Sequence, residues 1–233
     1  MESSSIDFSN NTPILAYCEC AVRVKPLGAG SGDYVQEDEI FGTWRYHGVN
    51  LEKKEVYFGD EDPKKKQFTY TFPKFIADGT YTQEMVYDML LKDHLNHFLN
   101  GYNVNFMTYG QTGTGKTYTL LGPIGTFTSY NGNLDEIPEN FGILSRLVMS
   151  MLQKKGDAIL TLCSAQANYK IPFDILTGEE VLMDYTVNEF IGQNEVIIND
   201  GASFIKFARL IEKNRACRTT KMNDTSSRSH CYV

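Results

Sequence analysis

Gly110-Gln111-Thr112-Gly113-Thr114-Gly115-Lys116-Thr117 fits the pattern G-x-x-x-x-G-K-[ST]. A backbone that must wrap round phosphate oxygens needs these residue types at this spacing. Glycine lets the chain approach an oxygen closely. The N–H groups from Gly113 to Thr117, aided by the positive end of a following helix, point at an anion. Lys116 can reach β- and γ-phosphates, and the Thr117 hydroxyl can bind Mg²⁺. Gln111, Thr112 and Thr114 complete the loop, and Tyr118 directly after it offers an aromatic face that suits a base. The chemistry is that of a nucleotide phosphate site.

Such a loop works only between a strand and a helix. Val104 to Tyr109 reads as the short apolar strand, and Lys116 opens the helix. Upstream, Ala16 to Val24 alternates and stops at Pro26, which predicts a strand and a turn. Short Tyr-, Phe- and Val-bearing runs between 34 and 76 predict small strands. A helix follows, with Thr80 as N-cap and Gln83 completing a capping box. Met85, Val86, Met89, Leu90, Phe98 and Leu99 are its expected apolar stripe, and Asn100-Gly101 its stop. Residues 122–138 predict a long loop, Phe141 to Leu152 a helix and Ala158 to Cys163 a buried strand. Ser203 to Asn214 predicts a helix burying Phe204, Phe207, Ala208 and Ile211. Thr219 to Ser229 reads as polar loop, and Cys231-Tyr232-Val233 as the start of a strand. This order gives an α/β domain around one sheet.

Several segments in order resemble the kinesin motor domain family. Arg23-Val24-Lys25-Pro26 is similar to the family's R-x-[RK]-P, and Thr82-Gln83-Glu84-Met85-Val86-Tyr87 to its T-Q-x-x-V-Y. Gly101-Tyr102-Asn103 leads into the phosphate loop as kinesins do. Gly142-Ile143-Leu144-Ser145-Arg146 is similar to G-I-[IL]-P-R. Asn223-Asp224-Thr225-Ser226-Ser227-Arg228-Ser229-His230 matches N-x-x-S-S-R-S-H, the switch I signature. The resemblance implies a P-loop NTPase of three layers, a central mixed sheet flanked by helices. Residues 1–15 would be an N-terminal extension and 16–233 a partial motor domain.

The resemblance also implies roles. Arg23 and Pro26 would contact adenine, Tyr118 would stack on it, and Tyr87 would either add to that wall or pack in the core. Ser226 and Ser227 would close on γ-phosphate, with Ser227 joining Thr117 at Mg²⁺. Arg228 would pair with a glutamate of switch II, and His230 would be structural. The cofactors implied are ATP and Mg²⁺, the partner is the microtubule, and the setting is the cytoplasmic cytoskeleton. The expected activity is an ATPase coupled to movement on microtubules.

Two departures qualify the resemblance. The family's acidic S-[YF]-x-E-I-Y-N-E segment corresponds here to Cys163 through Lys170, with Ala167 at a glutamate position, and Ser145 replaces a proline. Switch II, D-x-x-G-x-E, is expected after the strand at Cys231, beyond Val233, and the chain reads as an N-terminal fragment. The strand at Cys231 is expected near the P-loop strand. The alternative is a kinesin-like module that binds nucleotide or tubulin without productive turnover. An unrelated P-loop enzyme is disfavoured: no N-K-x-D guanine-reading motif occurs.

Composition sets outer bounds. The 233 residues are 42% hydrophobic and 22% charged, ordinary for a folded globular chain. Net charge is −7, which argues against general nucleic-acid binding. Lys64-Lys65-Lys66 reads as a solvated loop. Cysteines stand at 18, 20, 163, 217 and 231, with no Cys-x-x-Cys, so no disulfide framework or zinc site is suggested. No apolar run reaches the ~20 residues of a membrane span.

Overall fold

The computed structural model describes residues 19–25, 44–60, 62, 64–111, 113–167, 172–184, 186, 189–221 and 230–233. The chain divides into two compact units, Met1–Phe106 with Gly113–Gly115, and Met107–Thr112 with Lys116–Val233.

In the first unit, β1 (Val22–Arg23) pairs in parallel with β5 (Ile76–Ala77). Three antiparallel strands, β2 (Trp44–Asn50), β3 (Glu55–Asp60) and β4 (Gln67–Thr71), form a meander between them in sequence. Helix α1 spans Gln83–Leu99. Its cap is Thr82, whose hydroxyl accepts the Met85 N–H at 3.2 Å, and not Thr80. Thr80 is held in the preceding turn, donating its N–H and hydroxyl to Asp78 at 2.9 and 2.6 Å. The expected stop at Asn100-Gly101 is observed, with Gly101 at φ +86.

The buried face of α1 is Gln83, Val86, Tyr87, Leu91 and Leu95, whereas Met85, Met89 and Phe98 are exposed. The expected stripe is therefore rotated. Residues 83, 87, 91 and 95 recur every fourth position and so share one side of the helix. Gln83 sits on that side because its amide has a side-chain partner, described below. A count of apolar residues passes over it.

The second unit holds α2 (Lys116–Leu120), α3 (Ile143–Lys154) and α4 (Gly201–Lys221). Its strands are β6 (Leu160–Leu162), β7 (Ala165–Ala167), β8 (Phe173–Asp174), β9 (Leu182–Asp184), β10 (Glu189–Ile191), β11 (Val196–Ile198) and β12 (His230–Tyr232). They form β12-β7-β8, β10-β9 and β11-β6, all antiparallel. The described part of the expected central sheet is thus distributed over five small sheets, with β1–β5 the parallel one.

The core joins α3 and α4 through Val148, Met149, Leu152, Phe204, Phe207, Ala208 and Ile211, with Phe127 and Phe141 from the loop between α2 and α3. All four residues expected on the inner face of α4 are buried. The helix continues to Lys221, past the polar loop expected from Thr219. Its first turn is capped by Asp200, whose carboxylate accepts the Ser203 N–H at 2.8 Å.

A further expectation fails. Val104 to Tyr109 joins no ladder among the described residues, and Met107 and Tyr109 are 82% and 95% exposed. A strand exists by its neighbours' hydrogen bonds, so an apolar run without ladder partners stays merely extended. The strand at Cys231 pairs with β7, Cys231 opposite Gln166.

Candidate nucleotide site

The phosphate loop is described on both sides of Thr112, which lies outside the described residues. Gly113 and Gly115 take φ +84 and +95, a region that L side chains rarely adopt. No atom lies within 4 Å of where a Cβ would stand on either. Here glycine is required by backbone conformation, and the space beside it is open, as a loop that cradles phosphate needs. Lys116 opens α2, and its ammonium donates to the carbonyls of Gly110 and Gln111, both at 2.7 Å. The lysine is thereby held against the loop's own backbone. Thr117 is exposed on the same first turn, and Tyr118 follows, 45% exposed.

The Arg23 guanidinium donates to Gln83 Oε1 at 2.7 Å. This bond connects the R-x-[RK]-P and T-Q-x-x-V-Y segments and explains why a glutamine occupies the inner face of α1. Val24 N–H to Ala77 O at 2.7 Å fixes the strand just beyond. Lys25 then extends its ammonium to the Gly113 carbonyl at 3.4 Å. Tyr87 is buried on the inner face of α1. Pro26, Ser226, Ser227 and Arg228 lie outside the described residues.

Structure adds two residues that motif reading left without a role. Arg146, buried on α3, donates to the carbonyls of Phe141, Pro138 and Glu139 at 3.0, 3.1 and 2.9 Å. Ser145, where the family has proline, donates its hydroxyl to Leu121 O at 3.3 Å, one residue past α2. Gly142, the N-cap of α3, is packed so closely that a Cβ would lie 2.4 Å from the Leu120 carbonyl. A charged side chain inside a run read as apolar helix is the signal that marks Arg146 in sequence.

The family model for the kinesin motor domain matches residues 23–233. The chain belongs to the kinesin motor domain family. It is 31% identical over 177 residues to kinesin-like protein KIF15-B of Xenopus laevis, covering 72% of this chain and 12% of that protein. Kinesin-like protein bimC of Emericella nidulans is 32% identical over 195 residues, 78% of this chain and 16% of that one. Kinesin-like protein KIN-UC of Arabidopsis thaliana is 36% identical over 172 residues, 71% of this chain and 15% of that one.

A solved fast kinesin, described for its ATPase mechanism and microtubule interactions, superposes with a TM-score of 0.67 at 22% identity. That match covers 91% of this chain and 57% of the solved one, and it shows the fold. The chain therefore spans well under half of the curated relatives it matches. Membership carries nucleotide binding at the level of the family. No helix of the described residues is long and apolar enough to cross a membrane.

Proposed function

We propose that this chain is the nucleotide-binding part of an ATP-driven microtubule motor in the cytoplasmic cytoskeleton. The observation that carries the reading is the loop itself. Gly113 and Gly115 hold left-handed backbone with open space beside them, and Lys116 is poised on the loop within a kinesin match that runs from residue 23 to 233. The donor set suits Mg·ATP. Lys116 would neutralise β- and γ-phosphate charge, and the amides from Gly113 to Thr117 would orient their oxygens. The hydroxyls of Thr117 and Ser227 would hold Mg²⁺, which when bound spreads the charge of the transferring phosphoryl group. Ser226 and Arg228 would order the switch I segment around γ-phosphate. We assign the base contacts to Arg23, Pro26 and Tyr118, and keep Tyr87 in the core. Gln111, Thr112 and Thr114 would shape the loop.

One departure favours a second reading, in which nucleotide or tubulin is bound without productive turnover. Strand β7 reads Ala-Gln-Ala where the family carries a glutamate. A single set of titrations separates the two. Labelled ATP should bind with Mg²⁺ and be displaced by ADP more readily than by GDP. Lys116→Ala should weaken it roughly tenfold to a hundredfold, the worth of a charge-assisted contact of about 1.5–3 kcal/mol. Thr117→Ala should act through the Mg²⁺ dependence. Phosphate release accelerated by microtubules supports the motor. Binding without acceleration supports the second reading, and unchanged ATP affinity in Lys116→Ala overturns the nucleotide site on which the motor reading rests.

A further inference from the structure

Helix α2 is short and buries none of its side chains, so other groups must fix it. Leu121 and Gly122 prolong its hydrogen bonding, donating to the carbonyls of Thr117 and Tyr118 at 2.8 and 3.0 Å. The Leu121 carbonyl accepts the Gly142 N–H at 3.1 Å and the Ser145 hydroxyl at 3.3 Å, which ties this end to the start of α3. The segment that follows is tied to α4. Glu212 accepts the Gly125 N–H at 2.8 Å. Arg209, on the preceding turn, donates to the carbonyls of Phe127, Thr128 and Tyr130 at 2.7, 2.9 and 3.2 Å. Phe127 itself is buried and meets the Phe204 ring of α4 edge-on at 6.2 Å.

Apolar packing and hydrogen bonds act differently on α4. Phe204, Phe207, Ala208 and Ile211 attach it to the core, but apolar contact is non-directional and tolerates a small slide along the helix axis. Hydrogen bonds fix distance and angle, and a guanidinium fork spanning three acceptors fixes them firmly. Arg209 and Glu212 therefore set the axial register of α4 against the segment leaving α2. On the reading above, both ends of this connection meet nucleotide. Lys116 and Thr117 open α2. From Arg209, α4 runs about 18 Å to Lys221. The sequence then passes directly into Asn223 to His230, which includes Ser226 and Ser227.

We propose that Arg209 and Glu212 are positioning residues, which register α4 on the phosphate-loop helix so that the segment after α4 reaches γ-phosphate. The inference rests on the nucleotide reading and gives neither residue a contact with nucleotide. ADP needs the phosphate loop, whereas ATP also needs the segment after α4. Lost register should therefore cost ATP and spare ADP. Glu212 serves through an acceptor oxygen, which an amide also supplies.

The test measures the affinity of the chain for ADP and for a non-hydrolysable ATP analogue, both with Mg²⁺, by displacement of a fluorescent nucleotide. Arg209→Ala should weaken the analogue about tenfold and ADP by less than about twofold. Arg209→Lys should recover part of the loss. Glu212→Ala should show a smaller loss of the same kind, and Glu212→Gln should match wild type. Should Arg209→Ala not fold, Glu212→Ala carries the same comparison. Gln153→Ala is the control. Gln153 of α3 donates to the Leu134 carbonyl at 2.8 Å, so it holds the same loop from a helix that does not lead into switch I. Its ratio of the two affinities should equal that of wild type, whatever its melting temperature. If the Arg209 and Glu212 variants weaken both nucleotides equally, or neither, the role is structural only and the proposal is overturned. A ratio shifted as far in Gln153→Ala as in Arg209→Ala overturns it too. Failure of the wild-type chain to bind ADP is a separate result, which removes the nucleotide site and this inference with it.

Discussion

Arg146 illustrates what one side chain does in this fold. Its guanidinium is buried and spans three carbonyls at the end of the loop before α3. The planar fork matches several acceptors at once, which a lysine ammonium cannot do. Removing it takes the buried bond from the Phe141 carbonyl, leaves the Pro138 carbonyl with the Phe141 N–H alone, and opens a void. Arg146→Ala should destabilise the chain by about 2–4 kcal/mol, and Arg146→Lys by less. Urea unfolding measures both, and equal midpoints for wild type and Arg146→Ala would show that the loop does not need its clamp. Gly142 is constrained differently. Its φ of −74 is ordinary, so substitution is opposed by the Leu120 backbone and not by conformation.

Among the elements, α4 shows how sequence, capping and pH are linked. Asp200 accepts the Ser203 N–H, and this bond, followed by that from the Ser203 hydroxyl, holds its carboxyl below the usual carboxylate range. A lowered folded-state pKa means the cap's contribution is complete above the ordinary aspartate pKa and is lost as pH falls through the lowered value. Asp200→Ala should cost about 1 kcal/mol at neutral pH, and Asp200→Asn much less. The gap between wild type and Asp200→Ala should close on acidification. Urea midpoints measured across pH 7 to 3 check this, and a gap that widens toward acid would refute the cap. In α1 the buried Leu91 and Leu95 carry the packing while Met85 and Met89 face out. The motif position of a residue and its burial are separate properties.

For the molecule as a whole, ligand binding should appear as stability. A nucleotide that binds only the folded chain stabilises it by about 2.7 kcal/mol at a hundredfold excess over Kd. Mg·ATP should therefore raise the melting temperature more than Mg·GTP does, and Lys116→Ala should lose most of the rise. A scan with both nucleotides on both proteins is sufficient. Equal rises with ATP and GTP would dispose of the adenine preference expected from Arg23, Pro26 and Tyr118.

Much of this protein was legible in the chain alone. The phosphate loop, the order of family segments, α3, the inner face of α4 and the stop of α1 all follow from local signals: glycine spacing, helical periodicity and capping chemistry. Such signals act within a few residues, so they survive without knowledge of the partner surface. Other features depended on groups distant in sequence. Gln83 faces inward because Arg23, sixty positions earlier, donates to it. Val104–Tyr109 has strand composition yet joins no described ladder, since ladders need neighbours that composition cannot name. The acidity of residues 171–205 is plain in the sequence, but the pairing that sets Leu182 against Ile191 and Asp184 against Glu189 is not. Register depends on hydrogen bonds between strands, and a slip of one residue would exchange the two faces.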